Sequence, residues 1–121
     1  MPIETYRSLM VWKKSVDFVV LVYQLLGKFP KNEQYGLASQ MQRAAVSIPS
    51  NIAEGKERQS DRDFARFIAI ALGSLAELET QLLIAQRLGY LDEAGWQEAT
   101  AQADEIGKML RGLHKTLSIT N

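Results

Sequence analysis

Apolar residues spaced three and four apart, sustained through four long segments, constrain this chain more than any other feature of its sequence. In the last segment Trp96, Ala99, Ala103, Ile106, Leu110, Leu113 and Leu117 follow one another without a break. Such spacing gathers side chains into one stripe on a helix but scatters them over both faces of a strand. No comparable period-two alternation occurs anywhere in the chain, so the expected class is all-α.

Stop and start signals divide the pattern into helices over approximately 8–28, 33–54, 61–88 and 93–116. The first carries Leu9, Trp12, Val16, Val19, Tyr23 and Leu26, and Gly27 and Pro30 end it, because proline lacks an amide hydrogen and restricts the residue before it. Asn32 is expected to cap the second, whose stripe is Leu37, Met41, Ala44, Ala45, Ile48 and Ile52, with Gly55 as a left-handed C-terminal stop. Ser60-Asp61-Arg62-Asp63 reads as a capping box with Asp in place of Glu, and opens a third helix with Phe64, Phe67, Ile68, Ala71, Leu75, Leu78, Leu82 and Ala85 inward. Gly89 stops that helix and Asp92 caps the fourth. Loops of roughly four to six residues make sequential helices antiparallel. The expectation is an antiparallel up-down-up-down four-helix bundle, with residues 1–121 forming one domain.

Of the 121 residues 46% are hydrophobic, enough for a core without a covalent staple. The absence of cysteine excludes disulfides and thiolate chemistry and fits a reducing, cytoplasmic setting. Met1-Pro2-Ile3-Glu4 shows no basic, apolar leader, and the longest apolar run, Phe18 to Tyr23, is far shorter than the roughly 20 residues of a spanning helix. A membrane partner is not expected. Fourteen basic residues against fourteen acidic ones leave no global field to attract a polyanion. The charge is nevertheless segregated: +3 over residues 1–31, 0 over 32–76, −6 over 77–105 and +3 over 106–121.

The apolar surface exceeds what one bundle needs. Helix 1 carries a second row, Val11, Phe18, Val22 and Leu25, rotated about 100° from the first. Helix 3 adds a row of small residues, Ala65, Ala69, Gly73 and Ala76, and a mid-helix glycine costs about 1 kcal/mol relative to alanine unless backbones must approach closely. Since soluble monomers seldom expose contiguous Phe, Val and Leu, a subunit interface is expected at Val11, Phe18, Val22 and Leu25, with Ala65, Ala69 and Gly73 as its second element. The partner is then a second copy of the chain. Pro49, inside helix 2, predicts a kink, with Ser47, Ser50 and Asn51 as an alternative polar patch for a ligand or a neighbouring subunit.

Chemical constellations are nearly absent. His114 is the one histidine, which excludes paired-histidine zinc and di-iron motifs, and it reads as filler on the flank of the bundle. Glu77 and Glu79 point about 200° apart on a helix and cannot share a substrate; an inward carboxylate there would answer Arg43 or another base across the bundle. No glycine-rich phosphate loop occurs, and no serine has a base to activate it. The expectation is no catalytic residue, no metal, no cofactor and no enzyme, a metal site at Glu54, Glu77 or Glu79 being the least supported reading. A second functional reading is nucleic-acid contact through Arg43, Lys56, Arg58, Arg62 and Arg66, in which an oligomer would align several copies of the cluster.

The stretch Tyr35-Gly36-Leu37-Ala38-Ser39-Gln40 and the run from Arg43 to Gly55, RAAVSIPSNIAEG, closely resemble the small proteins encoded in intervening sequences of bacterial 23S ribosomal RNA genes. Leu9, Val11, Trp12, Phe29-Pro30, Arg58, Ser60, Phe64, the run from Gly73 to Leu82 and Leu88-Gly89-Tyr90-Leu91 extend the likeness over residues 6 to 115. The resemblance implies a four-helix bundle, a homopentameric barrel and a biochemical role that is mostly unassigned. A similar bundle, the accessory variability determinant of diversity-generating retroelements, binds nucleic acid and a reverse transcriptase through a strongly basic surface. A nucleic-acid accessory role with a polymerase-type partner is the alternative this implies, although the present chain is neutral overall. The leading expectation is a cytoplasmic, self-assembling scaffold or binding module.

Overall fold

A computed structural model describes residues 5–119. Residues 1–4, on which the absence of a leader was read, lie outside the described part. Four α-helices follow in order: α1 Met10–Leu26, α2 Leu37–Lys56, α3 Asp61–Arg87 and α4 Glu93–Ile119. Short 3-10 turns at Tyr6–Ser8 and Lys31–Glu33 precede α1 and α2. Each helix packs against its neighbours in the order α1–α2–α3–α4–α1, while α1 and α3 make no Cα approach within 8 Å, nor do α2 and α4. The helices therefore stand at the corners of a square, with α1 and α3 on one diagonal.

The expected caps account for both long helices. Ser60 Oγ accepts from the Asp63 amide at 3.1 Å at the start of α3, and Asp92 Oδ1 accepts from the Gly95 amide at 2.7 Å at the start of α4. Gly89 closes α3 with φ +79°, the left-handed conformation that a side chain resists. The start of α2 differs from expectation. Asn32 does not cap it; residues 31–33 form a separate 3-10 turn, and Glu33 Oε1 reaches forward to the Leu37 amide at 3.3 Å. Glu33 Oε2 also accepts from the Tyr90 hydroxyl at 2.9 Å, so one carboxylate ties the α1–α2 connection to the α3–α4 connection.

Gly55 is not a left-handed stop. It lies within α2, buried, where an added Cβ would stand 2.6 Å from Phe67 Cβ and 2.9 Å from the Phe64 ring. Its smallness admits α3 against α2. The helix runs on through Pro49, whose ring is buried, and the polar residues around it serve the same contact: Ser47 Oγ meets Ser74 Oγ of α3 at 2.8 Å, and Asn51 Nδ2 donates to the Ser47 carbonyl and hydroxyl. Ser50 alone of that expected patch remains exposed.

The core contains Phe18, Val22, Met41, Ile48, Ile52, Ile68, Leu75, Leu78, Leu82, Ile106 and Leu110, all essentially without solvent contact. The rows expected for α2, α3 and α4 face inward. In α1 the two rows are exchanged. Val11, Phe18, Val22 and Leu25 are buried inside the bundle and are not a free interface, and Ala65 of α3 is buried as well. Of the stripe assigned to the core, Leu26 is buried and Leu9, Trp12 and Val19 pack against its edge, while Val16 lies at the flank and Tyr23 outside. The inward row also contains Ser15, fully buried, whose hydroxyl donates to the Val11 carbonyl at 2.7 Å and so loses nothing by leaving water. Trp12 and Tyr23 carry polar groups that favour the wetter side.

Candidate self-association surface

The exchange moves the surplus apolar surface of α1 without removing it. Val20 is 52% exposed and Tyr23 46%, and Val19 lies beside them in a shallow apolar depression. Tyr23 continues this surface into a groove against α2, where it meets Gln42, Arg43 and Val46. On the opposite corner α3 presents Ala69, Ile70, Gly73 and Ala76, followed two turns later by Leu83 and Ile84, all exposed. A methyl built on Gly73 meets no atom within 4 Å. Nothing in the chain's own packing requires glycine there.

An 18-residue stretch of α3 has a mean hydropathy of 1.6 although only 39% of it is buried. By length and composition it matches a membrane span, but α2 and α4 pack along it, and its uncovered part is the outer row just described. Between Arg66 and Arg87 the helix carries two charged residues, Glu77 and Glu79. Both are exposed: Glu77 accepts from Gln81 Nε2 at 3.2 Å, and Glu79 faces Asp104 and Arg111 of α4 rather than Arg43. Partial burial, reinforced by Asp104 and opposed by Arg111, pushes the Glu79 carboxyl above the usual carboxylate range.

The basic residues do not converge on one site. Arg43 stands alone in the α1–α2 groove, while Lys56, Arg58, Arg62 and Arg66 flank the α2–α3 turn. There Lys56 Nζ lies 5.8 Å from the centroid of Phe64, and the guanidinium carbons of Arg58 and Arg66 each lie 4.8 Å from that of Phe67. Arg58 also pairs with Glu54 at 3.9 Å and Arg66 with Asp63 at 3.7 Å. With Glu57 and Asp61 the turn holds four acids against four bases. Among the described residues no group of three or more His, Asp or Glu side chains converges as a metal site requires.

The bundle and its sequence have relatives. A family model described as 23S rRNA-intervening sequence protein matches residues 7–112. The chain belongs to that family. A crystal structure of a protein of unknown function from the S23 ribosomal protein family of Bacteroides thetaiotaomicron is 32% identical, with a TM-score of 0.80, covering 88% of this chain and 99% of the other. No curated protein matches the chain. The 23S rRNA-intervening sequence fold thus extends across all four helices, and the biochemical role of the crystallised relative is itself unassigned.

Periodicity does not say which row of α1 faces outward, because both are apolar, and the exposed Val20 belongs to neither. The usable signal was Trp12 and Tyr23, whose polar groups favour the wetter side, while Ser15 points to the wrong row because its hydroxyl is satisfied by the Val11 carbonyl. The Glu33–Tyr90 bond gave no sequence signal at all, since 57 residues separate its partners.

Proposed function

We propose that this intervening-sequence protein is a non-enzymatic, self-assembling scaffold, in which the outer row of α1 in one copy docks on the outer row of α3 in the next. The observation that carries the reading is the pair of uncovered apolar rows on diagonal corners of one bundle. Different patches on opposite sides make a heterologous contact, which closes into a ring or propagates as a filament. Val20 and Tyr23 supply protruding side chains, and Ala69, Gly73 and Ala76 supply a low ridge that lets helix axes approach. The family resemblance supports a ring of five.

Sedimentation at micromolar concentration tests this. Five chains of 13.6 kDa give a particle of about 68 kDa. Val20→Glu and Ile70→Glu, at positions exposed in the single bundle, should each abolish the particle of about 68 kDa with the helical circular dichroism intact. A wild-type chain sedimenting as a monomer overturns the proposal.

Nucleic-acid contact at the α2–α3 turn is the second reading, supported by the guanidinium groups of Arg58 and Arg66 held against Phe67. Four neighbouring carboxylates weigh against it. Binding of single-stranded RNA that weakens steeply with salt supports this reading, and no binding at low salt rejects it.

A further inference from the structure

The outer surface of α4 has a pattern of which the bundle uses only Glu105, paired with Lys14, and the contact between α1 and α3 uses nothing. From Ala94 to Ile119, steps of four and three residues alternate without interruption, and every position reached is exposed. These positions share one face of the helix, on the side away from the core, and they combine small residues with acids early and bases late. The third position is Ala101 and the sixth is Gly112, where an added methyl meets nothing within 4 Å. Gly107, one position off this row, differs: its Cβ would press on Arg111 and Leu75, so the fold itself accounts for that glycine.

Placed antiparallel to itself about a two-fold axis between residues 106 and 107, the row is self-complementary. Ala101 faces Gly112 of the second copy, small against small. Glu105 faces Lys108 and Glu98 faces Lys115, each acid on a base. At the two ends Ala94 faces Ile119, which is 75% exposed. A parallel arrangement would instead set Glu98 on Glu98 and Lys108 on Lys108. Acids early and bases late also suit the helix dipole, but the dipole requires neither this register nor an exposed mid-helix glycine. Glu105 already meets Lys14 at 2.6 Å, and its carboxylate keeps acceptor capacity for a second cation.

We infer that the outer ridge of α4 is a docking surface for α4 of a second copy, antiparallel and two-fold symmetric. It is an isologous contact, distinct from the heterologous one proposed above. Where both form, the two-fold contact joins one ring to another.

The chain has no cysteine, so Ala101→Cys and Gly112→Cys proteins provide a clean test. Across the antiparallel pair, residue 101 of one copy lies beside residue 112 of the other, while the two residues 101 are separated by roughly 16 Å along the axis, beyond disulfide reach. Equimolar mixing and oxidation at tens of micromolar should give the mixed 101–112 disulfide in about tenfold excess over both homodimers together. A statistical mixture of one homodimer, two heterodimers and one homodimer overturns the inference, as does a dominant 101–101 product. Adding Lys108→Glu and Lys115→Glu to both proteins should abolish the excess, and further adding Glu98→Lys and Glu105→Lys should restore it; failure of that restoration refutes the charge register. The excess should survive Val20→Glu, which removes the α1 contact. Its loss there would show that α4 pairing does not stand by itself.

Discussion

Gly55→Ala offers the most direct test of how α2 and α3 meet. The added methyl would lie 2.6 Å from Phe67 Cβ and 2.9 Å from Phe64 Cδ1. A ring can turn, but the Cβ of Phe67 is fixed to the α3 backbone, so the helices must separate by about 1 Å to reach ordinary carbon contact. Overpacking of this kind costs about 1–3 kcal/mol, and the better helix propensity of alanine returns about 1 kcal/mol. With both rings buried and two arginines stacked at Phe67, relief is poor, and the net loss should be about 1–2 kcal/mol. In a bundle of this size that lowers Tm by roughly 5 °C. Gly73→Ala is the control. Its methyl meets open space, so in the Val20→Glu background it should raise stability by about 0.5–1 kcal/mol. Thermal denaturation followed by circular dichroism at 222 nm reads both, and a Gly55→Ala protein as stable as its parent refutes the close-approach argument.

Phe18→Ala should cost about 3–5 kcal/mol while Val20→Ala changes stability by no more than about 0.5 kcal/mol, and urea midpoints showing the reverse would reinstate the opposite phase of α1. Glu79 has its folded-state pKa raised, chiefly by burial and then by Asp104, so its contribution to stability is present below the unfolded value and lost as pH rises through the folded one. Glu79→Gln should therefore stabilise the bundle at pH 7, with the advantage vanishing as pH falls towards 4; a pH-independent difference would contradict this. Tyr90 has a raised pKa because its hydroxyl donates to Glu33, so the stability it contributes is present below pH 10 and is lost above it. Tyr90→Phe should flatten the alkaline fall of the urea midpoint, and equal slopes in both proteins would discount the bond.

The starts of α3 and α4 and the end of α3 are legible almost to the residue because side-chain caps and a left-handed glycine mark them, whereas nothing marks the end of α4, which runs to Ile119 rather than to 116. α2 shows where local signals mislead. Asn32 is a good cap in isolation, yet the turn after Pro30 closes as a separate 3-10 unit and the helix begins at Leu37. Gly55 has the composition of a stop but the position of a contact, which becomes visible only when Phe64 and Phe67 of the next helix are brought against it. For α1, periodicity supplies two rows and no sign to choose between them. The conclusion that this helix has more apolar surface than one bundle buries stands, while the residues exposed are Val20 and Tyr23 rather than Phe18 and Val22.

The run from Arg43 to Gly55, through which the family is recognised, mostly serves the α2–α3 contact and the core. Ala44, Ala45, Ile48 and Ile52 are buried, Gly55 admits the α3 phenylalanines, and Ser47 meets Ser74 while accepting from Asn51. These residues dictate how the bundle closes, and a chain can satisfy them whatever it binds. In the assembly proposed above, association depends instead on the outer rows of α1, α3 and α4, which the chain's own core leaves uncovered. On that proposal Val20, Gly73 and Gly112 are the positions at which fold and assembly make opposite demands. A monomer would gain from a polar residue at the first and from alanine at the other two. Selecting variants for monomer stability alone should therefore replace these three residues and weaken assembly together, a coupling that sedimentation of the selected proteins would reveal or disprove.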